Sequence, residues 1–144
     1  MNKTTSSSSS TTFSAPPAPT VWPSVGFTDV DAGVRLLETF GFVITVLYRS
    51  DNDTVEHAEA RWPDGGGVMF GSRGKAGEWG ALGPQGLYIV AADPATVNDA
   101  WTRVHVVPGV EVLQPLHDTD YGSHQFEVRD GDGNLWTIGT YRGQ

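Results

Sequence analysis

Glu127-Val128-Arg129-Asp130-Gly131-Asp132-Gly133-Asn134-Leu135-Trp136-Thr137-Ile138-Gly139 decides the fold, because its pattern occurs twice in the chain. Phe126 and Val128 alternate with Gln125, Glu127 and Arg129, which is the period of a strand with one buried face. Asp130 to Asn134 supplies residues that tolerate positive φ, so the chain reverses there. From Leu135 the alternation resumes, with Trp136 and Ile138 on one face and Thr137 on the other. The earlier copy is Glu59-Ala60-Arg61-Trp62-Pro63-Asp64-Gly65-Gly66-Gly67-Val68-Met69-Phe70-Gly71. Glu59, Arg61, Asp64, Gly65 and Gly71 match Glu127, Arg129, Asp132, Gly133 and Gly139 at a constant offset of 68. Five identities in one register mark an internal duplication.

Working outward, each hairpin closes a unit of one strand, one helix and three strands. In module one, residues 21–79, Trp22 to Thr28 reads as a strand and Asp29 or Asp31 as the helix cap. Val34, Leu37 and Phe40 form the apolar stripe of the helix, and Gly41 ends it. Strands over Phe42 to Tyr48, Val55 to Arg61 and Gly67 to Phe70 follow, with a turn at Asp51-Asn52-Asp53. Gly80 to Gln85 reads as a linker. Module two, residues 86–142, repeats the order: a strand from Gly86, a helix started by Asp93-Pro94 through Val97, Ala100, Trp101 and Val104, a strand from Val110, and the opening hairpin. The fold class is therefore α+β, two tandem βαβββ modules.

The first twenty residues are expected to stand outside this domain as a disordered tail. Thr4 to Thr12 is a Ser/Thr run and Ala15 to Pro19 is proline-rich, and neither buries enough apolar surface to offset its ordering entropy. The absence of cysteine excludes disulfides and thiolate chemistry and agrees with a cytoplasmic location. A net charge of −8 repels phosphate backbones, so no nucleic acid partner is expected. No stretch is long and apolar enough to span a membrane.

With both modules in view, the chain resembles the vicinal-oxygen-chelate superfamily, which includes glyoxalase I, bleomycin-resistance proteins and extradiol dioxygenases. The resemblance rests on Val21-Trp22-Pro23, Phe40-Gly41-Phe42, His57-Ala58-Glu59, Asp64 to Met69, Tyr121-Gly122-Ser123, Val128-Arg129-Asp130 and Gly133 to Trp136. It covers residues 21–142 and implies a single glyoxalase/bleomycin-resistance-like domain over 21–144, its two modules forming an incomplete barrel around a shared groove. It also implies a homodimer, as such proteins commonly pair. Metal-using members hold the ion on the first and last strands of each module. Here those positions carry Trp22, Met69, Gly86 and Thr137, none a donor that a mononuclear Fe, Ni, Mn or Zn site uses. No metal and no cofactor are therefore expected. Asp130 to Asn134 superficially resembles a calcium loop. An EF-hand, however, needs Gly where Leu135 stands and a carboxylate where Tyr141 stands, so it reads as a turn.

Strand alternation nominates the groove wall: Trp22, Ser24, His57, Glu59, Met69, Tyr88, Gln125, Glu127 and Thr137. Such a wall of aromatic and apolar groups with a few polar ones suits a small molecule. Trp22 and Tyr88 are placed to stack on a planar ligand. His57 with Glu59, two residues apart on one strand face, is either an oriented general base or a hairpin-fixing pair. Glu59 and Glu127 form either a carboxylate pair or ion pairs with Arg61 and Arg129, two residues on. Two functions follow: a metal-free protein sequestering an aromatic or cationic compound, or a metal-independent isomerase or lyase using His57 or a Glu as base.

Overall fold

A computed structural model describes residues 13, 14 and 16–144 of the chain. The Ser/Thr run expected to be a tail lies outside the described residues. The chain divides into two compact units, Met1–Gly83 and Pro84–Gln144.

In the first unit the elements run β1 (Ser24–Phe27), α1 (Val30–Phe40), β2 (Val43–Arg49), β3 (Val55–Arg61) and β4 (Gly67–Ser72). They form one four-stranded sheet in the order β1-β4-β3-β2, with β1 parallel to β4 and the other pairs antiparallel. Asp29 caps α1 by accepting from the Ala32 N–H at 3.1 Å. Gly41, at φ 122°, ends it, its N–H donating to the Leu37 and Glu38 carbonyls. The buried helix stripe is Val30, Gly33, Leu36, Leu37 and Phe40. Val34, expected in that stripe, is only half-buried. Gly33 stands in the buried stripe instead, where the Phe27 ring lies against the helix backbone. Phe27 meets Phe70 edge-on at 5.8 Å, and Val25, Ala58, Ala60, Val68 and Phe70 complete the core on that face.

The second unit repeats this with β5 (Gly86–Val90), α2 (Pro94–Val104), β6 (Glu111–Asp118), β7 (His124–Arg129) and β8 (Leu135–Gly139), in the order β5-β8-β7-β6. Asp93 caps α2 through Thr96 and Pro94 opens it. Val97, Ala100, Val104, Phe126, Val128, Trp136 and Ile138 are fully buried. Neither sheet closes into a barrel.

The duplication holds at the level of hydrogen bonds. Glu59 pairs with Met69 and Arg61 with Gly67 across β3 and β4; Glu127 pairs with Thr137 and Arg129 with Leu135 across β7 and β8. Both turns close alike: Trp62 N–H to Gly66 O and Gly65 N–H to Trp62 O in one, Asp130 N–H to Asn134 O and Gly133 N–H to Asp130 O in the other. Gly65 and Gly133 take positive φ, which a side chain would resist. The Asp130 run is a turn, as the sequence suggested. The Asp130 carboxylate accepts from Asp132 N, Asn134 N, Asn134 Nδ2 and Trp136 Nε1, so its lone pairs face buried N–H donors.

Two connections differ from expectation. The stretch read as a linker from Gly80 is preceded and entered by a 3-10 turn over Glu78–Ala81. Further upstream, Arg61 reaches the segment before β1, its Nη2 donating to Pro16 O at 2.7 Å and Pro17 O at 3.0 Å. Among the described residues no helix is long and apolar enough to cross a membrane.

Candidate functional site

The face of the first sheet opposite α1 carries Ser24 and Gly26 from β1, Gly67, Met69 and Gly71 from β4, and His57, Glu59 and Arg61 from β3. Strand alternation puts them there: their neighbours Val25, Phe27, Ala58, Ala60, Val68 and Phe70 are the buried ones. Three glycines on this face leave room for long side chains from elsewhere. Trp22 lies over Gly67, the stem of Arg73 over Gly26, and Lys75 Nζ over Gly71, where an added Cβ would meet it at 2.9 Å.

A pocket of about 330 Å³ opens on this face. Its floor is Ser24, Met69 and Gly71, its polar side Glu56, His57 and Lys75, and its outer wall Trp79 and Leu82. That volume is at the lower end of the range, roughly 300–1,000 Å³, in which small-molecule sites fall. Trp79 is 65% exposed, an indole presented from the 3-10 turn at the mouth. Lys75 Nζ donates to the Glu56 carbonyl at 2.6 Å.

His57 Nε2 stands 2.7 Å from Glu59 Oε2, and the Tyr48 ring stacks on the imidazole at 6.5 Å and 22°. Glu59 is the more enclosed partner, its side chain 18% exposed against 38% for His57. In the neutral tautomer that donates Nε2–H to Glu59, Nδ1 is the nitrogen left to take a proton. The pair is therefore fixed in orientation and borders a cavity. Glu59 does not pair with Arg61, as its spacing suggested; it holds His57, and Arg61 holds the Pro16 and Pro17 carbonyls.

In the second unit the corresponding face carries Tyr88, Gln125, Glu127 and Thr137. Tyr88 is tied down by its hydroxyl, which lies 2.7 Å from Ser123 Oγ, donates to Gln125 Oε1 and accepts from Tyr141 N–H at 3.0 Å. Gly139 leaves space for that hydroxyl. Tyr121 also donates to Gln125 Oε1, and the Tyr121 and Tyr141 rings meet edge-on at 5.3 Å. Glu127 accepts from the Thr137 hydroxyl at 3.4 Å, and Arg129 pairs with Glu111 at 2.8 Å instead of with Glu127. His124 is held between Asp118 and Asn98, each at 2.7 Å, and so serves the surface of this unit.

Ser24, His57 and Met69 thus meet in one pocket, with Glu59 behind His57 and Trp22 further along the same face. Lys75, Trp79, Glu56 and Leu82 complete the pocket and were not among the candidates. Trp79 had a signal, an aromatic residue set among Gly74, Gly77, Gly80 and Gly83, where a buried ring is least expected. The metal that the resemblance implies does not suit these residues. Trp22 is an indole over Gly67, Met69 a thioether, Gly86 has no side chain, and the Thr137 hydroxyl donates to Glu127. Among the described residues no three His, Cys, Asp or Glu side chains converge on one point.

Neither a family model nor a curated protein sequence matches the chain. Solved structures do. TioX from Micromonospora sp. ML1 is 28% identical, with a TM-score of 0.61 over 83% of this chain and 97% of that one. A glyoxalase-related enzyme from Fulvimarina pelagi is 19% identical, with a TM-score of 0.62 over 84% and 86%. A lactoylglutathione lyase from Agrobacterium tumefaciens is 20% identical, with a TM-score of 0.57 over 86% and 94%. Likeness at these identities speaks for the architecture, and it agrees with the duplicated register seen in the bonds. The chain has the fold of structures described as glyoxalase/bleomycin-resistance/dioxygenase family proteins, two βαβββ modules in succession.

Proposed function

We propose that the protein binds a small aromatic compound in the pocket of its first module and holds it without a metal ion. The observation that carries this reading is the pocket's composition: Trp79, Met69 and Leu82 offer apolar contact, while Ser24, His57 and Lys75 offer a few polar groups. A cationic ligand is less well served, because Glu59 already answers His57 and Lys75 lies in the wall. The role that follows is sequestration, as the resemblance of the motifs to bleomycin-resistance proteins implies. A homodimer belongs to the same reading, since each sheet leaves two edge strands to be covered, and cytoplasmic residence does as well, in keeping with a sequence without cysteine. The test is a titration with naphthalene-sized amides, read by native mass spectrometry and by tryptophan fluorescence. Trp79→Ala is expected to weaken binding by about three- to tenfold, the worth of one aromatic contact. Equal affinity in the variant, with its fold intact, would remove Trp79 from the site. About one Ni, Zn, Mn or Fe per chain in gently purified protein would overturn the metal-free part.

The His57–Glu59 pair favours a second reading, a metal-independent isomerase or lyase with His57 as general base and Glu59 orienting it. Glu127, engaged by Thr137, is the weaker candidate for that role. The two readings separate in deuterated water. An enzyme exchanges a carbon-bound proton of its bound ligand and His57→Gln stops the exchange; a binder exchanges nothing, with or without the imidazole.

A further inference from the structure

The loop after β4 gives the pocket a charge preference. Lys75 is half-buried, its Nζ held by the Glu56 carbonyl and seated against Gly71. A side chain at position 71 would occupy that seat, so the glycine and the lysine belong together. One carbonyl takes one of the three N–H bonds of an ammonium group, which leaves donors for a ligand. Arg73, two residues before Lys75, lays its stem over Gly26 on the same face. Lys75 thus brings an ammonium group to the pocket of a chain whose net charge is −8. Glu59 is engaged by His57, and Glu56, which also borders the pocket, is exposed and screened by solvent. Ser24 adds a hydroxyl donor at the floor.

We infer that this pocket selects aromatic compounds bearing an anionic group, a carboxylate or phenolate, which pairs with Lys75 Nζ while the ring lies against Trp79 and Met69. The inference rests on the aromatic-binding reading and adds the charge of the ligand to it. A charge-assisted hydrogen bond in a partly enclosed site is stronger than a neutral one, so the anion and not only the ring sets affinity.

The experiment uses three probes with one ring: 2-naphthoate, 2-naphthamide and 2-naphthylmethylamine, titrated against the full chain. Naphthoate is expected to bind about tenfold tighter than the other two, the difference a charged hydrogen bond makes. Lys75→Met should abolish that difference by lowering the naphthoate affinity well beyond any change in the amide affinity, and Lys75→Arg should restore part of it. Lys75→Gln replaces the Met variant should that one fail to fold. Three equal affinities in the wild type, or a naphthoate preference that survives loss of the lysine charge, overturn the inference and leave the aromatic pocket standing. Failure of all three probes to bind overturns the aromatic reading, and this inference with it.

Discussion

Lys75 Nζ lies 2.9 Å from the point where a Cβ on Gly71 would sit, and the Val55 carbonyl lies 3.0 Å from that point on the other side. Gly71→Ala therefore has to displace the amine, a flexible chain end, and also shift the Val55 carbonyl by a few tenths of an ångström. The expected loss is about 1–3 kcal/mol, the usual cost of overpacking, read by urea denaturation. Gly26→Ala is the comparison, since the flexible stem of Arg73 is what its Cβ would meet, at 3.0 Å. It should cost clearly less. Equal losses at both positions would show that backbone crowding at Gly71 is relieved by relaxation.

Asp130 is 7% exposed and its carboxylate receives N–H groups from Asp132, Asn134 and the Trp136 indole. Asp130→Ala leaves those donors buried without their acceptor. The variant is expected to lose at least ~2 kcal/mol, since bonds to a charged acceptor are the stronger kind and an orphaned donor adds its own cost. Trp136 fluorescence during urea unfolding measures it. A loss under ~0.5 kcal/mol, the range of ordinary surface substitutions, would mean that water replaces the carboxylate.

Asp93 at the start of α2 accepts from the Thr96 backbone N–H and then from the Thr96 hydroxyl, both at 2.8 Å, which holds its carboxyl below the ordinary value of 3.8. A carboxyl depressed on folding stabilises the folded state at pH values above its unfolded pKa. That contribution fades as pH falls from 3.8 toward the lower folded value and is gone beneath it. Asp93→Ala is thus expected to lower the thermal midpoint at neutral pH, with the gap to wild type narrowing in acid. A gap that stays constant down to pH 2 would mean the loss is unrelated to the carboxylate's charge.

Arg61 and the carbonyls of Pro16 and Pro17 set where truncation begins to matter. Removal of residues 1–12, whose Ser/Thr composition offers little apolar surface, is expected to leave the thermal midpoint unchanged. Removal of residues 1–20 also takes away the two carbonyl acceptors and should cost up to ~1 kcal/mol, the net worth of such bonds. If the shorter truncation already lowers the midpoint by as much as the longer one, residues 1–12 contribute packing that their composition does not suggest.

The sequence by itself determined the duplication and its register. Two-residue alternation, a turn built on Gly65 or Gly133 and an Asp cap at 29 or 93 are local signals, each set by the conformations of a few adjacent residues. That is why Glu59 opposite Met69 and Glu127 opposite Thr137 could be read as equivalent before any coordinates. His57 beside Glu59 was legible for the same reason, as residues two apart on a strand share a face. The stripe of α1 was misplaced because Gly33 looks like a gap in a helix until Phe27 is seen to fill it. The Glu–Arg pairs failed because an ion pair depends on which acceptors lie within reach across strands and loops, and Glu111, Pro16 and Pro17 are distant in sequence. Only the tertiary structure placed Lys75 over Gly71 and Trp79 at the pocket mouth. The loop that carries them has no period, and where it comes to rest depends on contacts across the sheet, such as the Lys75 bond to the Glu56 carbonyl, that no short stretch encodes.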